Sequence, residues 1–434
     1  MLSKTELSLK PNFIMVTQKS LLVSAFLGVQ LTILQTLLAG TSSVVRNEGL
    51  YNLGEEFLES VPIKWTVGTS LIYDDNVRAG QVGATGKDDS LALNPYVGAS
   101  WINVTPQTTI DVFGRLGMIY YLDAPTGMDD EFAQSRLGVN VTHRFSERLR
   151  WVSRNFISYE LEPDYAYGFA NSRESAETLY WTTSQSLGFR WTERFATYTG
   201  ISLTEVDTAD SRNNDRFTVG FSNQFRYQIY PQTVGTLDYR YNDVTGRGVA
   251  RDSTEHFVLL GVEHRFTPNS IGFVRAGFQH RDVSSGSDHT QPSMELGLTT
   301  RLNEQLRVRV FSRYSMEYND TVRTTGTGDL VEYDRRDTFR LGFDVDYTLS
   351  PKLSLNSSVS YINTGYADGV AISPPGPPPG SADEELIQLT LGLAYRFTDN
   401  LLGSVGYTYT DSSSDLQGRD YERTRVSLGI QAEF

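Results

Sequence analysis

Arginine is the residue type whose spacing in this chain points most directly to a chemical role. Arg307, Arg309 and Arg313 stand two and four residues apart, so an extended strand would place all three on one face. A guanidinium group stays charged at every physiological pH, so a row of them shapes the electric field around it. This pattern suits selection among ions and supplies no catalytic group.

The same alternation gathers further charged residues onto one face of successive stretches. Opposed charges across a water-filled space would create a transverse field that tunes ion selectivity. Alternatively, the charges pair with each other and fill space, and the sequence leaves both readings open because strand register is unknown. Glu263 and Glu295 share this face. The candidate pore-lining residues are Arg115, Arg226, Arg240, Arg265, Arg275, Arg301, Arg307, Arg309, Arg313, Arg340, Asp344, Asp346, Arg396 and Arg425.

Residues suited to catalysis or metal binding form no recognisable pattern. The chain has no cysteine, so neither a disulfide framework nor a thiolate metal site is expected. No nucleophile elbow, phosphate-binding loop or dinucleotide-binding glycine motif stands before a helix. We therefore expect no enzymatic activity, no metal ion and no cofactor. The five histidines are scattered without metal-like spacing: His143, His256, His264, His280 and His289.

The composition favours an all-β protein and restricts the partners. The 434 residues include 24 Tyr, 22 Phe and 37 Gly, yet the mean hydropathy is only −0.33. The chain is thus rich in aromatic and turn residues without long apolar runs. A net charge of −14 argues against a protein that binds nucleic acid by neutralising phosphates.

Long β-strands are the elements that would carry these side chains. Beyond residue 62, apolar and polar residues alternate almost everywhere, which is typical of strands with two unlike faces. The apolar face of the clearest stretches carries no charged residue. That exclusion fits contact with hydrocarbon, where an Arg or Lys at mid-depth costs about 2–4 kcal/mol. A recurrent glycine falls on the other face and is expected to aid curvature and leave lumen space; it is Gly220, Gly261, Gly297, Gly342, Gly392 and Gly429.

Eighteen such stretches predict an all-β, transmembrane, antiparallel up-and-down barrel, with sixteen strands as the alternative. Short turns, expected in the periplasm, alternate with long loops, expected outside the cell. A soluble sandwich would also alternate, and a propeller would need four strands per repeat where this chain has two. The predicted strands are 63–73, 90–101, 108–121, 132–145, 149–160, 178–191, 195–205, 215–227, 233–243, 254–266, 271–281, 291–302, 306–318, 337–349, 353–364, 384–397, 401–411 and 421–434.

The start of the chain has the order of a secretory signal. Lysines precede the apolar stretch 20–40, which gives way to small residues. Either Met1 or Met15 would serve as the start, and a retained membrane anchor is the alternative reading. We predict a signal peptide at 1–43, a short periplasmic segment at 44–62 and the barrel at 63–434.

Two short motifs resemble those of known outer-membrane proteins. VGTSLIYDDNVRAG (67–80) is similar to the strand and loop that open the β-barrel porin 2 family. The last strand resembles the C-terminal signature of Gram-negative outer-membrane proteins, although Ala432 is smaller than the aromatic often found there. In those proteins the closing strand is an assembly signal, which implies that role for Leu428, Ile430 and Phe434. The resemblance implies a barrel in the bacterial outer membrane, inserted by the barrel assembly machinery, and no catalytic residues.

Lipids of the outer membrane are the other expected partners. Acidic pairs in the long loops, such as Asp74–Asp75 and Asp88–Asp89, are most simply a solvated loop surface. The alternatives are that they bind divalent cations bridging to lipopolysaccharide, or that they divert anions from the mouth.

The expected function follows from barrel size, because sixteen to eighteen strands leave an aqueous channel. We expect a porin-like channel for passive or weakly selective diffusion of small hydrophilic solutes or ions. One alternative is an export or scaffold barrel, for example for surface polysaccharide. The other is an outer-membrane enzyme, which would need clustered acids, His or Ser near the loop rim.

Overall fold

A computed structural model describes residues 60–78, 89–125, 128–161, 177–208, 215–247, 251–284, 286–318, 321–323, 330–373, 380–416 and 419–434. The proposed signal peptide, most of the proposed periplasmic segment and Asp88 lie outside these residues. In the described ranges, no helix is long and apolar enough to cross a membrane.

The described residues form nineteen strands in one antiparallel sheet. They are β1 (Val61–Asp74), β2 (Ser90–Val104), β3 (Thr108–Tyr121), β4 (Glu131–Arg144), β5 (Leu149–Glu160), β6 (Thr178–Arg190), β7 (Phe195–Thr208), β8 (Arg216–Tyr230), β9 (Thr233–Gly246), β10 (Ser253–Thr267), β11 (Ser270–Val283), β12 (His289–Arg301), β13 (Leu306–Met316), β14 (Thr321–Arg323), β15 (Leu330–Ser350), β16 (Leu353–Ser373), β17 (Ala382–Thr398), β18 (Leu401–Ser414) and β19 (Tyr421–Glu433).

The sheet closes on itself as a ring of eighteen strands. Each strand pairs with the next along the chain, and β19 returns to β1 with Leu428 opposite Leu71. The three-residue β14 pairs only with the far end of β15, so β13 pairs directly with β15 in the ring. The predicted eighteen-stranded antiparallel barrel is therefore confirmed.

The two faces of the sheet are inverted relative to a soluble protein. On β10, Leu260 points outward and is 69% exposed, whereas Glu263 points inward and is buried. The same contrast holds on β8, where Phe225 is exposed and Arg226 is only 1% exposed. Because apolar side chains face out and charged ones face in, the surface around the ring suits hydrocarbon.

A polar patch interrupts the outer face at β5 and β6. Ser153, Asn155, Thr183 and Gln185 point outward there and satisfy one another. The Thr183 hydroxyl donates to Asn155 Oδ1 (2.7 Å), and Gln185 Nε2 donates to Ser153 Oγ (2.9 Å). Trp151 Nε1 donates to Gln185 Oε1 (3.1 Å). These bonds remove most of the cost of presenting polar groups to lipid.

The inward glycines do not leave open space, which corrects the expectation from the sequence. A Cβ at Gly342 would overlap the ring of Phe311 on β13, and one at Gly297 would overlap Phe273 on β11. Each ring lies flat over the neighbouring strand because that strand has no side chain at this level. Side chains of neighbouring strands likewise fill the sites at Gly220 (Ser202), Gly261 (Arg275), Gly392 (Asn356) and Gly429 (Ser404).

Apolar packing occurs inside the ring, at the end where the long loops attach. Ile119 and Tyr121 of β3 pack against Phe132 of β4 in one buried cluster. Tyr333 and Tyr366 form a second cluster on β15 and β16, with ring centroids 5.1 Å apart. The long-loop end of the lumen is thus partly filled by packed side chains.

Candidate functional site

The lumen wall from β8 to β15 carries most of the candidate pore-lining residues. Arg275, Glu295, Arg313 and Arg340 stand at one level on β11, β12, β13 and β15, each the register partner of the next. Positive and negative charges alternate for three strands, after which two arginines face each other directly.

Glu295 is the centre of the ion pairs at this level. Arg240 binds it with both terminal nitrogens, at 2.6 and 2.9 Å, and Arg275 Nη1 lies 3.2 Å from its Oε2. Arg275 Nε also lies 3.5 Å from Asp238 Oδ2. The partners sit on the same stretch of wall, so these charges pair along the wall and do not face each other across the lumen.

Other candidates pair in the same way. Arg226 Nη2 lies 2.9 Å from Glu263 Oε1, and both side chains are almost fully buried. Arg309 Nε lies 3.5 Å from Asp344 Oδ2. Arg307 and Asp346 are register partners nearer the short turns. Arg265, Arg301 and Arg396 also point inward but lie at the short-turn ends of their strands, away from these networks.

A segment at the end of β13, residues 315–318, leans into the lumen; we call it the inward segment. Pairing of β12 with β13 stops at Met294 opposite Tyr314, while β13 stays paired with β15. Gln279 of β11 then holds the Met316 backbone: the Met316 N–H donates to Oε1 (2.8 Å) and Nε2 donates to the Met316 carbonyl (3.0 Å).

Glu317 fixes the inward segment electrostatically. Arg340 donates to both of its carboxylate oxygens at 2.7 Å, and Arg336 lies 4.0 Å away. Burial alone would raise the pKa of the Glu317 carboxyl, but Arg340, and then Arg336 and Arg313, lower this pKa to about 2. Glu317 is therefore ionised at neutral pH.

Tyr318 carries the inward segment across part of the lumen toward β8. Its ring centre lies 4.7 Å from the guanidinium carbon of Arg216 on β8 and 5.3 Å from that of Arg281 on β11. Since β8 and β13 are five strands apart, the segment crosses part of the lumen and narrows it on the long-loop side.

The seam between β1 and β19 contains another buried charge cluster. Arg423 and Arg425 donate to the Asp74 carboxylate, with Arg425 Nε at 2.9 Å from Oδ2. Asp74 was expected to lie on an exposed loop with Asp75, either solvated or bound to a cation. The structure instead buries Asp74 at the end of β1, where two guanidinium groups already compensate its charge, so that expectation was wrong for this residue.

Sequence reasoning missed a second set of inward arginines. Arg150 and Arg154 flank the buried Val152 on the inner face of β5 and obey the same alternation. The signal was weak because the outer face of β5 is itself polar at Ser153 and Asn155. The inward arginines missed were Arg136, Arg144, Arg150, Arg154, Arg190, Arg216, Arg281, Arg336 and Arg423.

The residues of the proposed assembly signal lie on the outer face of β19. Leu428, Ile430 and Phe434 are exposed. The Phe434 backbone exchanges two hydrogen bonds with Trp65, at 3.0 and 2.9 Å. Among the described residues, no three His, Asp or Glu side chains are arranged to hold a metal ion.

Comparison with known proteins gives one family match. Residues 335–434, from within β15 to the end of β19, match the sequence profile described as "Putative beta-barrel porin 2". No curated protein is significantly similar to the chain in sequence.

Several solved outer-membrane proteins superpose weakly. OccAB4 of Acinetobacter baumannii is 12% identical with a TM-score of 0.44, covering 87% of this chain and 99% of that one. OpdK of Pseudomonas aeruginosa is 12% identical with a TM-score of 0.44, and the match covers 86% of this chain and 99% of OpdK. The siderophore receptor PirA of P. aeruginosa is 9% identical with a TM-score of 0.39, and the match covers 86% of this chain and 80% of PirA. All three scores fall below 0.5, and we base no functional conclusion on them.

The closed ring, its apolar exterior and the family match agree. The chain is a β-barrel of the bacterial outer membrane, and its last strands match a porin profile.

Proposed function

We propose that this outer-membrane barrel is a channel for passive or weakly selective diffusion of small hydrophilic solutes or ions. The observation that carries the proposal is the inner wall, which is lined by charged and amide side chains around the ring while the outer wall is apolar. Hydrophilic walls of this kind favour water and solvated ions over lipid.

A weak preference for anions is the selectivity that the wall supports best. The inner faces of β3 to β6 carry more arginines than acids, although the whole chain is negative. The arginines on these faces are Arg115, Arg136, Arg144, Arg150, Arg154 and Arg190, and the acids are Asp111 and Glu160. The inward segment, with Tyr318 reaching β8, restricts passage to small solutes.

Planar-bilayer recording tests this function. Purified barrel should produce steady ohmic current steps, and a salt gradient should give a reversal potential on the anion-selective side. Arg154→Glu should move the reversal potential toward cation selectivity. The matched control Arg148→Glu makes the same charge change on an exposed turn and should shift it much less.

Other outcomes would overturn the channel. Silent insertion of correctly folded barrels would favour an export or scaffold barrel. Lipid hydrolysis or proteolysis without conductance would favour an outer-membrane enzyme.

A further inference from the structure

Arg115 is a buried arginine that shares one nearby acid, Glu160, with Arg136, and only Arg136 is hydrogen-bonded to that acid. Its side chain is only 4% exposed, and within the described part of the chain it forms no ion pair. Its Nε and Nη2 atoms are buried and have no hydrogen-bond partner in the described ranges. Its register partner is Arg136, so a like charge stands directly opposite it. Like charges directly opposite each other on adjacent strands are destabilising.

Arg136, in contrast, is hydrogen-bonded to an acid. Arg136 donates to Glu160, with Nη2 at 2.8 Å from Oε2, so its charge is already matched. Arg115 is instead held by Tyr96, whose ring centre lies 3.4 Å from the guanidinium carbon. The Tyr96 hydroxyl donates to Gln431 Oε1 (2.8 Å), which fixes the ring beneath the guanidinium. Two nitrogens of the oriented guanidinium, Nε and Nη2, thus have no hydrogen-bond partner among the described residues.

On the same wall lie three more buried polar groups that have no hydrogen-bond partner within the part of the chain that the structure describes. Gln134 is fully buried and its Nε2 has no partner. Asn94 donates to Gln134 Oε1 (3.4 Å), but its own Oδ1 has none. Ser70, the register partner of Asn94, has an unpartnered hydroxyl. Buried polar groups are nearly always hydrogen-bonded, so four unsatisfied side chains at one place need a reason.

The register brings these groups to one surface. Gly117 of β3 is the partner of both Tyr96 and Gln134, and it has no side chain. Nothing from β3 therefore stands between the Gln134 amide and Arg115, two residues away on the same face. Tyr96 of β2 takes up the space at Gly117, since a Cβ there would lie 2.9 Å from the Tyr96 Cβ. The unsatisfied groups therefore lie on one face of neighbouring strands.

We propose that Arg115, Gln134 and Ser70 form a binding subsite for a small oxyanion, a carboxylate or phosphate group on a solute. The subsite rests on the proposed channel function, since the solute reaches it through the lumen. An oxyanion is the ligand class that matches a guanidinium fork, which binds two oxygens at once. The Gln134 amide and the Ser70 hydroxyl add neutral donors. A cation would be repelled by Arg115, and an apolar group would leave the Arg115, Gln134 and Ser70 donors unsatisfied.

The first test uses inorganic phosphate as the probe in planar bilayers bathed in chloride. Phosphate should reduce the chloride current of the wild-type barrel in a saturable manner. Arg115→Gln should raise the half-blocking phosphate concentration roughly tenfold or more, since it removes charge-assisted hydrogen bonds. Arg148→Gln makes the same charge change on an exposed turn, and its half-blocking phosphate concentration should equal that of the wild type.

The second test is thermal unfolding of the detergent-solubilised barrel, with and without phosphate. Phosphate should raise the unfolding temperature of the wild type and of Arg148→Gln, but not that of Arg115→Gln. In phosphate-free buffer, Arg115→Gln should unfold at or above the wild-type temperature, because the variant lacks the buried charge. If Arg115 had only a structural role, Arg115→Gln would unfold below the wild-type temperature in phosphate-free buffer.

The two tests separate the subsite from the channel. A silent barrel that phosphate still stabilises through Arg115 would refute the channel and keep the subsite. A conducting barrel whose current and unfolding temperature are indifferent to phosphate would refute the subsite and keep the channel. Equal block of the wild type and Arg115→Gln would show an adventitious ion only and would also refute the subsite.

Discussion

Removal of the Glu317 carboxylate should destabilise the barrel and widen its lumen. In Glu317→Ala, Arg340 loses both of its hydrogen bonds at 2.7 Å, and Arg336 loses the acid 4.0 Å away. Hydrogen bonds to charged groups contribute about 1.5–3 kcal/mol each. Loss of one partner of a buried pair costs about 3–5 kcal/mol, because the other charge stays buried. All three side chains are less than 10% exposed, so we expect the free energy of unfolding to fall by about 3–5 kcal/mol.

The width of the lumen should increase because Glu317 belongs to the inward segment, which narrows it. The bonds from Gln279 to Met316 would remain, but the anchor to β15 would be lost. Larger or noisier single-channel conductance is expected from the loosened segment.

The pH dependence of this contact has a definite sign. The pKa of Glu317 is depressed in the folded barrel, to about 2. Its contribution to stability is therefore fully present above the ordinary carboxyl pKa of about 4.3 and is lost as the pH falls toward 2. The difference between the wild type and Glu317→Ala should stay constant from pH 8 to pH 5 and shrink below pH 4.

Thermal unfolding in detergent, followed by heat-dependent gel migration, and single-channel recording measure the two effects. The matched control is Glu147→Ala, because Glu147 is 95% exposed and its nearest basic contact, Arg190 Nη2, is as far as 4.0 Å from its Oε2. An exposed pair of this kind contributes little. If both variants unfolded at the same temperature and conducted equally, the assigned role of Glu317 would be wrong.

Three further changes test the barrel itself. Gly342→Val should lower stability by about 1–3 kcal/mol, because its side chain would overlap Phe311; Gly380→Ala, with no atom within 4 Å of the added Cβ, should leave the unfolding temperature unchanged. Leu260→Arg should cost about 2–4 kcal/mol on the lipid face, measured by equilibrium unfolding from vesicles; a neutral result would mean that this face does not contact hydrocarbon. Phe434→Ala keeps the backbone bonds of the seam, so it should reduce the amount of barrel in the outer membrane of cells while purified protein still refolds in detergent; equal loss in both assays would argue against a targeting role.

Period-two alternation predicted most of the ring. In strands such as β8 and β19, apolar and polar residues alternate one by one, because lipid excludes charge from one face and water favours it on the other. The limits of β15 and β16 were not predicted: the structure extends them to Leu330–Ser350 and Leu353–Ser373, against 337–349 and 353–364. The extra residues include Tyr333 and Tyr366, which pack against each other in a buried cluster, so their burial does not follow the alternation between lipid and lumen.

The charged wall was only partly predictable. Alternation placed Arg240 and Glu295 on one face, but their ion pair depends on the register of β9 to β12, which leaves no trace in a single sequence. The inward segment was invisible for a similar reason. Its position depends on contacts between Gln279 and Met316, which lie 37 residues apart and show no pattern.

The seam between the first and last strands has a consequence for biogenesis. Trp65 and Phe434 exchange backbone hydrogen bonds between the first and the last strand of the ring. While this seam is open, β1 and β19 each expose unpaired backbone amide and carbonyl groups, which lipid acyl chains cannot hydrogen-bond. Formation of the seam therefore satisfies both exposed strand edges in one step.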